Sequence, residues 1–216
     1  MPERLTPRQF QESDGVEDWR DVGMGAGAVF RTGSFNKGIA LVDEIGRLAD
    51  AMNHHPDVDL QYGTVTVRLF THDIMGLSDL DAKLAAQISA AARTLGAESD
   101  PSNVQSVQLT LDALVTENVR PFWCAVLGYK AVGDEDAIDP RGRGPSIWFQ
   151  QMNPARTERN RFHIDVFVGN DEAEARVAAA LAAGGRLLDD AHAPDHWLLA
   201  DAEGNEVDVA TTFHRD

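Results

Sequence analysis

The segment from Thr64 to Phe70 (TVTVRLF) alternates strictly, and it lies between two stretches of helical periodicity. The alternation places Val65, Val67 and Leu69 on one face and predicts a half-buried strand. Upstream, Leu41, Ile45, Leu48 and Met52 recur at i, i+4, i+7 and i+11, the stripe of a helix over 37–52. That helix stops at Asn53-His54-His55-Pro56, because proline disfavours a helical backbone at His55. Downstream, Ser78 caps a second helix reaching about Leu95, with Leu80, Leu84, Ile88 and Leu95 at helical spacing. Phe30 to Phe35 (FRTGSF) is a further strand candidate, ended by Asn36. Two helices with one apolar face each can cover one face of a small antiparallel sheet. The expected class is therefore α+β.

Gly96 to Asn103 (GAESDPSN) is polar and carries both Gly and Pro, so it reads as a boundary. The expected organisation is a domain over 1–97, a linker over 98–103 and a second domain over 104–216. The second half holds a faint repeat. Gln108 starts a strand followed by the helix-like TENVRPFWCAVLGYK and strands near Ala131 and over 146–151. His163 starts another, followed by the alanine-rich DEAEARVAAALAAGG and strands over 186–190, 196–200 and 206–210. Gln108 and His163 stand about 55 residues apart at equivalent starts, and two paired βαβββ modules are the simplest account.

Charge excludes one class of partner. Lys and Arg number 19 against 35 Asp and Glu, a net charge of −16. Divided at residue 99, both halves are acidic (−6 and −10), so no basic module is present to bind nucleic acid or an anionic membrane. The single cysteine, Cys124, lies in the apolar run FWCAVL and reads as a small core residue rather than a reactive thiol. The start, MPERLTPRQFQES, lacks the apolar stretch of a signal peptide, and no run approaches the ~20 apolar residues of a membrane span. A cytoplasmic location is expected.

The densest polar cluster is Asn53-His54-His55-Pro56, followed after one strand by Thr71-His72-Asp73. If the strand runs on past Phe70, His72 shares a face with Thr66, Arg68 and Phe70, away from the core. A histidine pair at a helix end would then meet a third at a strand end around one small pocket. Imidazoles titrate near neutrality, so such a group suits acid–base catalysis without metal. Surface or turn histidines are the plainer alternative, and a three-histidine zinc site is disfavoured because adjacent histidines diverge.

The run HHPDVDLQYGTVTVRLFTHDIMGLSDLDAKLAAQIS resembles the core of the pterin-4a-carbinolamine dehydratases. The resemblance rests on His54-His55-Pro56, Tyr62, Val65, Thr71-His72, Gly76-Leu77-Ser78, Asp81 and Leu84-Ala85, and reaches back through Trp19-Arg20 over about residues 3–97. It implies loss of water from a 4a-hydroxytetrahydropterin to give the quinonoid dihydropterin, with no cofactor and no metal. It also implies catalytic roles for His54, His55, His72 and Asp81, and substrate contacts from Asp50, Pro56, Asp57 and Thr71. Asp81 has a second reading, since Ser78-Asp79-Leu80-Asp81 has the form of a capping box, and both roles can coexist. Two positions depart from the pattern. Asp50 stands where many members have Glu, and Val58 where many have Trp. The small sheet with an edge to protect, together with the resemblance, implies a homodimer or higher homo-oligomer.

The second half resembles the glyoxalase-like, vicinal-oxygen-chelate superfamily. The matching pieces are Phe122-Trp123 with Leu127-Gly128-Tyr129, then Arg161 to Val166, then Asp201 to Glu206. Superfamily enzymes commonly hold a divalent metal, and the corresponding positions here offer Gln108, Gln150, His163 and Asp208. Two amides in that set are weak ligands for transition metals, so no metal is expected. Gly23-Met-Gly-Ala-Gly27 reads as a loop rather than a phosphate cradle. His192 and His196 flank Pro194 in a turn entering a strand, and Arg141-Gly-Arg143, after Asp134-Glu-Asp136 and Asp139, as a solvated loop. The leading expectation is a pterin dehydratase with an appended module of unknown ligand. The alternatives are a non-enzymatic dimerisation or small-molecule-binding protein, and an enzyme whose chemistry lies in the second half.

Overall fold

In the computed structural model, which describes residues 2–152, 162–200 and 206–214, the chain divides into two compact units. The first comprises Met1–Gln105 with Val168–Ala173 and Thr211–Asp216, the second Ser106–Phe167 with Glu174–Ala210.

The first unit opens with a short helix α1 (Pro7–Gln11) and strands β1 (Arg20–Val22) and β2 (Gly25–Arg31). Helix α2 (Phe35–Met52), β3 (Asp57–Leu60), β4 (Thr64–Leu69), α3 (Asp79–Thr94) and β5 (Glu98–Ser99) follow. The sheet runs β1-β2-β4-β3, with β5 also on β2, and every pairing is antiparallel. The alternation of β4 does what its pattern dictates: Val65, Val67 and Leu69 are fully buried. Leu41 and Ile45 of α2 and Leu84 and Ile88 of α3 pack with them. Trp19 closes this core, its indole N–H shared between the Ala85 carbonyl and Ser89 Oγ, both at 3.1 Å.

Four local expectations need correction. FRTGSF is not one strand: β2 ends at Arg31, Gly33 turns the chain at φ +71, and Ser34 caps α2 by accepting the Lys37 N–H. The glycine-rich run is not all loop, since Gly25-Ala26-Gly27 lies inside β2. Glycine serves there as a close-approach residue, because a Cβ on Gly25 would stand 2.5 Å from the Leu69 carbonyl oxygen. The expected linker carries structure, with β5 followed by a 3₁₀ turn over Pro101–Asn103, and Arg31 reaches Asp100 at 3.0 Å. Finally β4 stops at Leu69, and His72 opens a 3₁₀ turn (His72–Ile74) instead of extending the strand.

The second unit repeats one arrangement. Its first module is β6 (Gln105–Ala113), α4 (Thr116–Leu127), β7 (Lys130–Val132), β8 (Asp136–Ile138) and β9 (Ser146–Gln151). The second is β10 (Phe162–Val168), α5 (Ala173–Ala182), β11 (Arg186–Asp189), β12 (His196–Ala200) and β13 (Glu206–Ala210). The sheet order is β11-β12-β13-β10-β6-β9-β8-β7, and in each module the first strand pairs in parallel with the last. Leu111, Ala113, Ile147 and Phe149 face α4, where Cys124 packs half-buried as expected. Arg141-Gly-Arg143 lies exposed outside any strand or helix, as expected, while the acidic stretch before it holds a strand not expected from the sequence, Asp136–Ile138, whose Ala137 is fully buried. Arg161 and the segment 201–205 fall outside the described residues.

Candidate active site

Three structural ends meet near the histidines. Helix α2 terminates at Asn53, whose left-handed backbone (φ 48, ψ 41) turns the chain so that His54 points inward and His55 outward. On the other side, β4 ends just before Thr71, and Ser78 starts α3.

His54 is buried, and its Nε2 lies 2.7 Å from Asp81 Oδ1. Asp81 is fully buried too, and its other oxygen, Oδ2, accepts from the Ser78 backbone N–H (2.7 Å), Ser78 Oγ (3.0 Å) and Thr71 Oγ1 (2.5 Å). A carboxylate offers only acceptors, so the His54 ring presents its Nε2–H to it. The capping box at Ser78 and Asp81 is real, and the same carboxylate fixes His54. Its two readings describe one residue serving two partners. Four buried polar side chains thus satisfy one another, as such groups must.

The other candidates sit outside this network. His55 is exposed and pairs through Nε2 with Asp50 Oδ1 at 3.0 Å. His72 is exposed on its 3₁₀ turn, its ring edge-on to Phe70 with centroids 5.2 Å apart. Exposure thus separates the three histidines: one is fixed in the interior and two face solvent. Thr71, expected at the substrate, is buried with its hydroxyl committed to Asp81. Pro56 is half-buried, and Asp57 is exposed at the start of β3, opposite Arg68. Ser78 was not singled out for this network, although its place in the capping box was the signal that could have found it.

In the second unit, Gln108 Nε2 donates to Ser146 Oγ at 3.2 Å. Asp208 lies opposite Asp165 in the β10–β13 register, and Gln150 opposite Asp112 in β6–β9. The side chain of His163 lies outside the described residues. Among the described residues no group of three or more His, Cys, Asp or Glu is arranged to hold a metal ion. Two amides, one of them engaged with Ser146, do not fit a tightly bound transition metal. No chemistry is assigned to one.

Comparison with known proteins agrees with this division. Residues 3–91 match the family Pterin 4 alpha carbinolamine dehydratase, and residues 108–210 match the Glyoxalase-like domain. A relative from Sulfurisphaera tokodaii is 35% identical over 86 residues, covering 39% of this chain and 92% of its own. One from Roseiflexus castenholzii is 43% identical over 89 residues, covering 41% and 96%. Both are named "Putative pterin-4-alpha-carbinolamine dehydratase". A crystal structure described as a transcriptional coactivator/pterin dehydratase from Brucella melitensis is 28% identical, covers 42% of this chain and 99% of that one, and has a TM-score of 0.38. Through its N-terminal unit the chain belongs to the pterin-4-alpha-carbinolamine dehydratase family, and a glyoxalase-like domain is fused behind it.

Proposed function

We propose that the first unit dehydrates a 4a-hydroxytetrahydropterin, with His55 and His72 exchanging the protons. The hydroxyl leaves as water once a proton reaches its oxygen. A neighbouring ring N–H gives up a proton, and the freed electron pair closes the C=N bond of the quinonoid dihydropterin. Two solvent-facing imidazoles can serve as acid and base in one step. His54 is the fixed member, oriented by Asp81. Asp50 holds His55, and Asp57 and Pro56 lie on the adjoining strand entry for contact with the pterin. Neither metal nor redox cofactor takes part, and the protein works in the cytoplasm as a homo-oligomer.

The observation that carries this reading is the buried His54–Asp81 pair, held by Thr71 and Ser78 where α2 and β4 end and α3 begins. Stopped-flow measurement with freshly generated 4a-carbinolamine tests it. His55→Ala and His72→Ala are each expected to slow dehydration at least tenfold, within the roughly 10²–10⁴ range of general acid–base effects, while both variants stay folded. Wild-type turnover in both would remove the assignment.

A further inference from the structure

His72 is carried by a turn that the N-terminal segment ties down. The turn closes on itself through Thr71 N–H to the Gly76 carbonyl (2.9 Å) and Met75 N–H to the His72 carbonyl (3.1 Å). It does so with Met75 in the left-handed region at φ 48, a conformation that a side chain with a Cβ disfavours. Support from outside comes from residues 3–5. Leu5 N–H donates to the Leu77 carbonyl at 2.9 Å, and Asp79 N–H to the Glu3 carbonyl at 3.0 Å. Glu3 N–H donates to Asp79 Oδ1 at 3.0 Å, and the Arg4 guanidinium to the Ile74 carbonyl. Gly76 leaves room for that guanidinium, since a Cβ there would stand 2.8 Å from Arg4 Nη1. Three of these bonds fasten the start of α3, whereas the one from Arg4 fastens the His72 turn itself.

We propose that Arg4 is a positioning residue for His72: by holding the Ile74 carbonyl and lying against Gly76, it sets where the imidazole is presented. The inference rests on the dehydratase reading for its consequence in turnover, though not for its geometry. Arg4 touches neither substrate nor the reacting atoms. Its effect passes through two residues of backbone, and misplacing a catalytic group by a fraction of an ångström lowers rate more than affinity.

Two variants approach the contact from opposite sides. Arg4→Ala removes the guanidinium, and Gly76→Ala leaves it in the chain but pushes it off the turn. With histidine rings isotopically labelled, the His72 resonances are expected to move in both variants, while those of His192 and His196 stay in place. For dehydration, kcat is expected to fall about 3- to 10-fold with KM changed less than about twofold. Arg4→Lys, which retains a donor for the Ile74 carbonyl, is expected to recover most of the loss. Adding Arg4→Ala to His72→Ala should cost nothing further. Unmoved His72 resonances, or losses that simply add, would overturn the proposal. If Arg4→Ala does not fold, Gly76→Ala and Arg4→Lys decide the matter. If the wild-type protein shows no dehydration at all, the function proposed above fails, while the ring resonances still judge Arg4.

Discussion

Thr110 Oγ1 donates to Asp165 Oδ2 at 2.6 Å, and the two residues stand 55 positions apart in the chain. The same interval separates Gln108 from His163, so each is the other's counterpart in the two modules of the second unit. Thr110 lies on β6 and Asp165 on β10, the first strands of those modules and neighbours at the centre of the sheet. Counterparts meet in this way where a local two-fold relates two copies of one supersecondary unit.

That contact gives the first prediction. Thr110→Val keeps the shape and removes a donor from the buried Asp165. It is expected to cost about 1–3 kcal/mol, whereas Thr110→Ser should cost far less. Chemical denaturation of the three proteins checks it, and equal midpoints for valine and wild type would contradict it.

Asp81→Asn is expected to damage stability as well as turnover. The amide turns an NH₂ toward one of the sites where Asp81 now accepts from His54, Thr71 and Ser78. A loss of about 1–3 kcal/mol is expected for each buried group left without a partner. Thermal melting reads the loss. A variant melting with wild type would mean the network relaxes freely.

Asp136 sets a pH dependence in the second unit. Burial, then the neighbouring Glu135, raises its carboxyl above the usual range, and Arg120 opposes them. A carboxyl that holds its proton more tightly when folded contributes stability at low pH. That contribution is lost as pH rises through the raised folded value. Asp136→Asn is therefore expected to raise the melting temperature at about pH 7 and to matter little at about pH 4. A pH-independent difference would show that some other contact is responsible.

Strand β3 ends the order of the first sheet, and among the described residues it pairs with β4 alone. Covering such an edge by pairing with a second copy is expected to give a homodimer or larger assembly. Sedimentation equilibrium should report a mass above 23.5 kDa, and a monomer at micromolar concentration would count against it.

Untagged protein is expected to purify without stoichiometric transition metal, and chelator to leave dehydration unchanged. Elemental analysis checks this. One metal per chain, lost with His163→Ala, would make the second unit an enzyme in its own right. Metal lost with His55→Ala would undo the proposed mechanism.

What the sequence made legible follows from where the physics is local. The β4 alternation, the α2 stripe and the Ser78 cap each depend on residues within one or two turns, and each is found in place. Gly25 to Gly27 were misread because their place in β2 is set by close approach of Leu69, 44 positions away. Strand β8 was missed because Asp136 to Ile138 shows only two apolar residues amid acidic neighbours, and the burial of Ala137 comes from pairing with β9. The histidines show the same limit at the site. Spacing brings His54, His55 and His72 to adjoining ends, but only the fold reveals that Asp81 takes His54 into the interior.

The pairing of β5 onto β2 matters for anyone who would cut this protein in two. A fragment ending at residue 97 forfeits the strand that pairs Ser99 with Phe30 and Glu98 with Arg31. It also forfeits the Asp100 carboxylate that Arg31 holds, and Val104, which packs over Gly27. Any graft or recombination that treats those residues as a mere tether therefore strips the first unit of part of its own sheet. The seam that leaves this sheet whole lies beyond Val104, inside what composition alone marks as the neighbouring domain.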